Sequence, residues 1–471
     1  MHVGPETLTF IIMIATFLVL GTALRLPAAL ATAGAALVGL VACGEAASLH
    51  HLVEGAFGYL DVIIVISTAM VFMKALEDAG ILEEISTQMV RRFATRRVPL
   101  ALASMILVML PGMLTGSSTA AALTTGRFVL PVLVESGFPP IRAGAFVALG
   151  CLLGMIAPPV NIPAMIIGSG IDMPYVGFDL PLLVMVVPLA IAATLWASAV
   201  PAGQGGDRGS RGHGGTGSPC VTGCGGDARP RRRGTDRREG SRGQRCGQAL
   251  RGGLVYLPLA VVLGLMTVVR VSNGRIPDPG LPFIFAAGTL VTLFCGKRFS
   301  LWKSVVEGVG LALPVMGILV GAGMFVQVMT LSGARGLLVT GSLDIPGRFL
   351  PLVAAVVVPA FGAVSAYASA SVMGIPLVLA IASGNEIVTA AGLSLLAGIG
   401  DLLPPIAVVP TLVSQAAGEG ARLRSSIIAE SIGPVVVCIA WSENLRHQRP
   451  QPGHRNRPRD TYHHGTYGLC Y

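Results

Sequence analysis

The chain has 471 residues, of which 53% are hydrophobic and only 12% charged, and its mean hydropathy is +0.73. No water-soluble globular domain of this length carries that balance, so the composition points to an all-α polytopic membrane protein in which every span satisfies its own backbone. The formal charge of +9 is concentrated: residues 201–252 contribute +7, residues 442–471 contribute +3, and the apolar remainder is near −1, so the net charge says nothing about an anionic partner of the apolar core and nucleic acid is not an expected partner.

The N-terminus has no basic leader and no small-residue cleavage site, so the first apolar run, Leu8 to Leu24, reads as a retained helix. A turn at Arg25 and Pro27 leads to a second span ending near Cys43. The stretch from Gly44 to Asp61 holds His50, His51 and Glu54 without Lys or Arg and is expected to be an outward-facing loop. A third span, Val62 to Met73, runs into an amphipathic arm from Lys74 to Arg97, with apolar Leu76, Ile81, Ile85, Met89 and Phe93 at helical spacing. Its Arg91, Arg92, Arg96 and Arg97 place the arm on the cytoplasmic side.

Leu100 to Val134 is apolar throughout, yet one straight helix of that length would be about 50 Å long at about 1.5 Å per residue, too long for a bilayer core. Interruptions at Pro111, Gly112 and Gly116 to Thr119 predict a re-entrant hairpin instead. The next span, residues 143–171, carries Pro158 and Pro159 at mid-depth behind Gly154. Proline cannot donate to the helix ladder, so this span is expected to be two half-helices. A helix from Leu180 to Val200 closes the first half.

Residues 201–252 are of another kind, with sixteen Gly, eleven Arg and no Lys. Such a segment reads as a disordered cytoplasmic linker. His213, Cys220, Cys224 and Cys246 lack a standard zinc spacing, and no aromatic residue is interleaved for base stacking. With the Arg-rich tail from Ser442, the segment also reads as an out-of-frame product of a GC-rich gene. The remaining cysteines of the spans, Cys43, Cys151, Cys295 and Cys438, are small buried hydrophobes, and no disulfide framework follows.

After Gly253 the plan returns. Spans near 254–269, 281–295 and 305–329 precede a second arm, Leu331 to Arg348, and a second hairpin, Leu350 to Ser383, with Pro359, Gly362 and Ser365 near its tip. The second broken span, 387–416, carries Asp401, Pro404 and Pro405; Arg422 and Arg424 mark the inside, and a last helix ends near Trp441. Pro158 and Pro404 are 246 residues apart, Pro131 and Pro376 are 245 apart, and Pro111 and Pro359 are 248 apart. One offset for three landmarks predicts two structural repeats, and because the first half starts outside and the second starts inside, the repeats are expected to be inverted, the architecture of an alternating-access transporter. The expected domains are scaffold helices and arm over 1–98, a first transport repeat over 99–200, the linker 201–252, second scaffold helices and arm over 253–349, a second transport repeat over 350–441, and a tail over 442–471.

Candidate site residues follow from cation and carboxylate chemistry. A sodium ion takes oxygen donors, which hairpin tips supply through Gly116, Ser117, Ser118, Thr119, Gly362, Ser365 and Ser369, and unwound backbone supplies at Ala157, Pro158, Pro159, Leu403, Pro404 and Pro405. Asn161 donates or accepts at the first break. Asp401 is the one acid of the mid-membrane breaks. A carboxylate solute suits half-helix N-termini. No HExxH or GxSxG motif suggests an enzyme.

The run Leu110 to Ala120, then Pro131, Glu135 to Phe138 and Leu153 to Pro159, supported by Gly400 to Pro405, resembles the large permease subunit of tripartite ATP-independent periplasmic (TRAP) transporters, over about residues 5–200 and 253–440. The resemblance implies an elevator-type, sodium-driven symporter importing an organic acid, dicarboxylate-like or sialic-acid-like, across a bacterial inner membrane. It implies as partners a small four-helix membrane subunit and a periplasmic solute-binding protein, with no cofactor beyond sodium as coupling ion. The alternative is a stand-alone sodium- or proton-coupled carboxylate carrier of the same superfamily.

Overall fold

The computed structural model describes residues 4–24, 26–44, 49–93, 96–199, 254–272, 279–343, 345–346, 349–381, 385–416 and 423–431. The expected linker 201–252 and tail 442–471 lie outside them, as does the end of the last helix. The described residues are helical, and four helices, or five if a bent pair counts as one span, are long and apolar enough to cross a membrane.

In the first half, α1 (Pro5–Leu18) continues as a π turn over Val19–Ala23 and is followed by α2 (Ala28–Ala42). Where a loop was expected, α3 (Leu49–Phe57) forms and meets α4 (Leu60–Asp78) at a 46° bend. Its reason is tertiary: Gly55 lies against Gly323 so closely that a Cβ on Gly55 would sit 2.6 Å from the Gly323 carbonyl oxygen. The arm also starts later than its apolar spacing suggests. Residues 74–78 finish α4, Gly80 at φ +72 turns the chain, and α5 (Ile81–Phe93) follows.

Hairpin one is built from α6 (Arg97–Thr115), a turn at Gly116 and Ser117, then α7 (Ser118–Ala121), a π turn over Ala122–Gly126 and α8 (Arg127–Glu135). The broken span is α9 (Pro140–Ile156) and α10 (Ile162–Gly170), joined through Ala157 to Asn161 with a cis bond between Pro158 and Pro159. Pro140 opens α9 at a first-turn position, where its missing N–H costs nothing. The half ends with α11 (Asp179–Ser198).

In the second half, α12 (Leu257–Val271) and α13 (Leu281–Thr292) lead to the 31-residue α14 (Leu301–Leu331), which packs on α2, α3 and α4, and to the arm α15 (Ala334–Leu343). Hairpin two is α16 (Leu350–Gly362), a turn to Ser365, α17 (Ala366–Ser369), a π turn over Ala370–Gly374 and α18 (Ile375–Ile381). The second broken span is α19 (Glu386–Ile399), a 3-10 turn at Gly400–Leu402 and α20 (Val408–Ala416), with the matching cis bond between Pro404 and Pro405. Residues 423–431 form a final described helix, α21.

The halves share a packing device. In the first, α6 crosses α9 at Gly112 and Gly154, and a Cβ on Gly154 would lie 2.5 Å from the Met109 carbonyl oxygen. In the second, α16 crosses α19 at Gly362 and Gly400, where a Cβ on Gly400 would lie 2.0 Å from the Gly362 carbonyl carbon. With lipid as solvent there is little hydrophobic drive to join helices, so close backbone approach supplies the dispersion energy, and small residues permit it.

An ion cluster ties α4, α14 and hairpin one together. Lys74 Nζ lies 3.1 Å from Asp78, 3.1 Å from Glu307 and 3.7 Å from Glu77; Ser304 donates to Asp78 at 2.6 Å, and Arg127 pairs with Glu77. Lys74 is the hub, with three carboxylates facing one ammonium. The Lys74→Met variant leaves those acids to repel one another and is expected to lose about 2 kcal/mol, read as a lower midpoint of thermal unfolding in detergent, whereas Lys303→Met, at an exposed pair, shifts it little.

Candidate functional site

The site grows from two hairpin tips and one helix break. At tip one, Gly116 takes the left-handed conformation (φ +63) that ends α6, and its N–H closes onto the Gly112 carbonyl at 2.7 Å. Ser117 then caps α7, accepting from the Ala120 N–H at 3.3 Å, with its hydroxyl 2.8 Å from that of Thr119. At tip two, Ser365 does the same for α17, accepting from the Ala368 N–H at 3.3 Å. The tips touch: the Tyr367 hydroxyl donates to the Gly116 carbonyl at 3.1 Å.

Asp401 sits between them. Ser118 of tip one donates its hydroxyl proton to Asp401 Oδ2 at 2.6 Å, and the backbone N–H of Ala366 at tip two donates to the same carboxylate. The side chain is buried, and it lies just beyond the C-terminus of α19, the negative end of that half-helix. A carboxylate there adds to the negative potential already present, so the position attracts a cation. Met155 stands at the same 246-residue offset in the first half and is fully buried and apolar. The two breaks therefore share a backbone and differ in chemistry.

A cavity of about 640 Å³ opens beside Asp401. Ser118, Thr119, Ser365, Asp401 and Pro405, all predicted, line it together with Gly21 and Thr22 of the π turn after α1, Pro27 just before α2, and Pro314 and Ile318 of α14. The other predicted residues support this site from behind. Gly362 makes the α16 crossing; Ser369 donates to the Val358 carbonyl at 2.6 Å and ties the arms of hairpin two; the Leu403 carbonyl accepts from the Ala407 N–H at 3.1 Å; Pro404 precedes Pro405 at the turn.

The first break lies away from that cavity's lining. Ala157 and Pro158 are buried, Pro159 is half-buried, and the adjoining Val160 N–H donates to the Met113 carbonyl at 3.2 Å. Asn161 is fully buried and fully engaged: its carbonyl oxygen accepts from the Ala164 N–H at 2.9 Å, and its amide donates to the Ile156 carbonyl at 2.8 Å and to Ser394 Oγ at 3.0 Å. It caps α10, closes the end of α9 and pins both to α19. Asn161→Ala removes all three bonds and is expected to cost about 2–4 kcal/mol; Asn161→Asp keeps the cap but sets a carboxylate oxygen against the Ile156 carbonyl in a fully buried site and is expected to cost at least as much, read from thermal midpoints in detergent.

Sequence reasoning missed Tyr367 and Arg424, which also line the cavity. Tyr367, two residues past Ser365, was legible as a polar aromatic at a tip. Arg424 read only as a marker of sidedness. The lining from α1, α2 and α14 carries no local signal, because it belongs to the site only through tertiary packing. Among the described residues no group of three or more His, Cys, Asp or Glu side chains is arranged to hold a metal ion. The donor set is one carboxylate with hydroxyls and backbone groups, which suits a hard cation rather than a transition metal.

The fold and site define a polytopic membrane protein of transporter-like fold. Its backbone is similar to the crystal structure of the Alcanivorax borkumensis YdaH transporter, a structure described as revealing an unusual topology, with a TM-score of 0.52 and 16% identity over 86% of this chain and 88% of that one. No protein-family model and no curated protein matches the chain.

Proposed function

We propose that the chain is the large membrane subunit of a secondary active importer of a small organic acid, driven by a sodium gradient and working by an elevator-type motion of two inverted repeats. The observation that carries this reading is Asp401, held by Ser118 of one hairpin tip and Ala366 of the other at the wall of a cavity also lined by the π turn after α1, the start of α2 and α14. A cation beside Asp401 neutralises the carboxylate, with Ser118, Thr119 and Ser365 as further oxygen donors. The N-termini of the return arms, at Ser118 and Ala366, supply the positive dipole end for a carboxylate solute. Cation and acid thus use neighbouring groups on the same two hairpins, which is the requirement for coupling. Consistent with the resemblance to TRAP permeases, the acid is received from a periplasmic solute-binding protein and a small four-helix subunit completes the transporter in the bacterial inner membrane. The protein has no enzymatic step in this reading.

The test is uptake of a panel of labelled organic acids into proteoliposomes, with and without a sodium gradient, the small subunit and the binding protein. Uptake that needs all three supports the proposal. Uptake by the chain alone replaces it with a stand-alone carrier, and absence of sodium dependence removes the ion site.

A further inference from the structure

We propose that Arg424 is the cationic anchor for one carboxylate group of the transported solute; this rests on the transport reading above. Arg424 is half-buried and lines the same cavity as Asp401. Among the described residues it has no salt-bridge partner, whereas Arg127 and Arg142, at the ends of α8 and α9, are paired with Glu77 and Glu430. A guanidinium that lines a partly apolar cavity with no described acid in salt-bridge reach is a site in want of an anion, and its planar fork matches a carboxylate through two parallel hydrogen bonds.

The placement is enforced from elsewhere on α21. Arg142 donates to Glu430 Oε1 from Nε at 3.1 Å and from Nη2 at 2.9 Å, fixing this helix at Glu430 to the start of α9. One turn closer to the cavity, Ile427 is fully buried against Gly144, where even a Cβ would come within 2.7 Å of Ile427 Cδ1. Arg424 precedes Ile427 by three residues, so it shares the inward face of the helix. Two anchors on α9, itself crossed on hairpin one, thus hold the guanidinium at the cavity.

Charge balance sets the solute class. With a cation beside Asp401 that carboxylate is neutralised, and Arg424 remains the uncompensated charge of the lining. The complement is an anionic solute presenting a carboxylate, in a space of about 640 Å³ that suits a small organic acid. With no cation at Asp401 the two charges of the wall offset each other and the anchor is weaker. Arg424 therefore sets selectivity for acids over neutral analogues, while Asp401 sets sodium dependence.

The experiment compares unaltered, Arg424→Gln and Arg424→Lys chains in the complete transporter in proteoliposomes, with the acid the unaltered chain moves best and its neutral amide as competitor. Arg424→Gln is expected to raise the apparent KM for the acid at least tenfold and to abolish the preference for acid over amide; Arg424→Lys recovers part of the preference. An unchanged KM and acid preference in a monodisperse Arg424→Gln protein overturns the anchor and leaves the transport reading standing. A fall in maximal rate alone, with preference intact in both variants, assigns Arg424 a structural role and also overturns it. If the unaltered chain moves no carboxylate, both readings fall together.

Discussion

Gly400→Ala is expected to remove most of the folded protein. A Cβ there falls 2.0 Å from the carbonyl carbon and 2.2 Å from the Cα of Gly362, and backbone atoms have no rotamer to escape into. Ordinary overpacking costs about 1–3 kcal/mol because side chains give way; here α16 and α19 must separate, and the cost lies at or above the top of that range. Asp401 is the next residue, so the same separation draws its carboxylate from Ser118 and Ala366. Gly154→Ala, 2.5 Å from the Met109 carbonyl oxygen, is expected to do the same in the first half without touching the Asp401 site directly. Gly264→Ala and Gly310→Ala are the controls: both glycines lie in helices with nothing within 4 Å of the added atom. They are expected to be neutral or slightly stabilising, by up to about 1 kcal/mol. The yield of monodisperse protein and the thermal midpoint in detergent decide this; losses of about 5 °C or more are expected for the first pair, at about 2 °C per kcal/mol. Equal behaviour of all four variants would remove the crossing from the account of the fold.

Asp401→Asn is expected to leave a folded protein that no longer responds to sodium. The amide keeps the size of the carboxylate and an oxygen that accepts from Ser118 and Ala366, so the tips stay joined, but the charge that draws a cation to the end of α19 is gone. Sodium-dependent uptake is expected to fall at least about a hundredfold, the loss of roughly 2.7 kcal/mol. Ser118→Ala keeps the charge and removes one charge-assisted hydrogen bond, worth about 1.5–3 kcal/mol, and is expected to raise the sodium concentration for half-maximal uptake about tenfold. Sodium titrations of uptake in proteoliposomes check both, and a normal sodium response in the Asp401→Asn protein would place the ion elsewhere.

Much of the framework was legible in the residues because it depends on local chemistry. Proline cannot continue a hydrogen-bonded ladder, so the pairs at 158 and 404 predict breaks, and the breaks occur there. Glycine before serine marks a helix end followed by a helix cap, and Gly116 with Ser117 is such a turn. By contrast, α3 was hidden: its sequence is short, holds two histidines and a glutamate, and forms a helix where Gly55 meets Gly323 on a chain segment far away. Asn161 was legible as polar and mid-span, yet its three bonds to Ala164, Ile156 and Ser394 depend on where α19 lies.

By itself, the sequence determined the membrane class, the position of each break, the two hairpins and the single acid among the breaks, since span length, ladder chemistry and charge are properties of consecutive residues. Only the tertiary structure decided that Ser118, Ala366 and Asp401 meet, that the π turn after α1, the start of α2 and α14 share the cavity's lining with them, and that Arg424 lines the same space. Those contacts join residues up to several hundred positions apart, and they are fixed by backbone crossings at Gly112 with Gly154 and Gly362 with Gly400, whose partners no local pattern names.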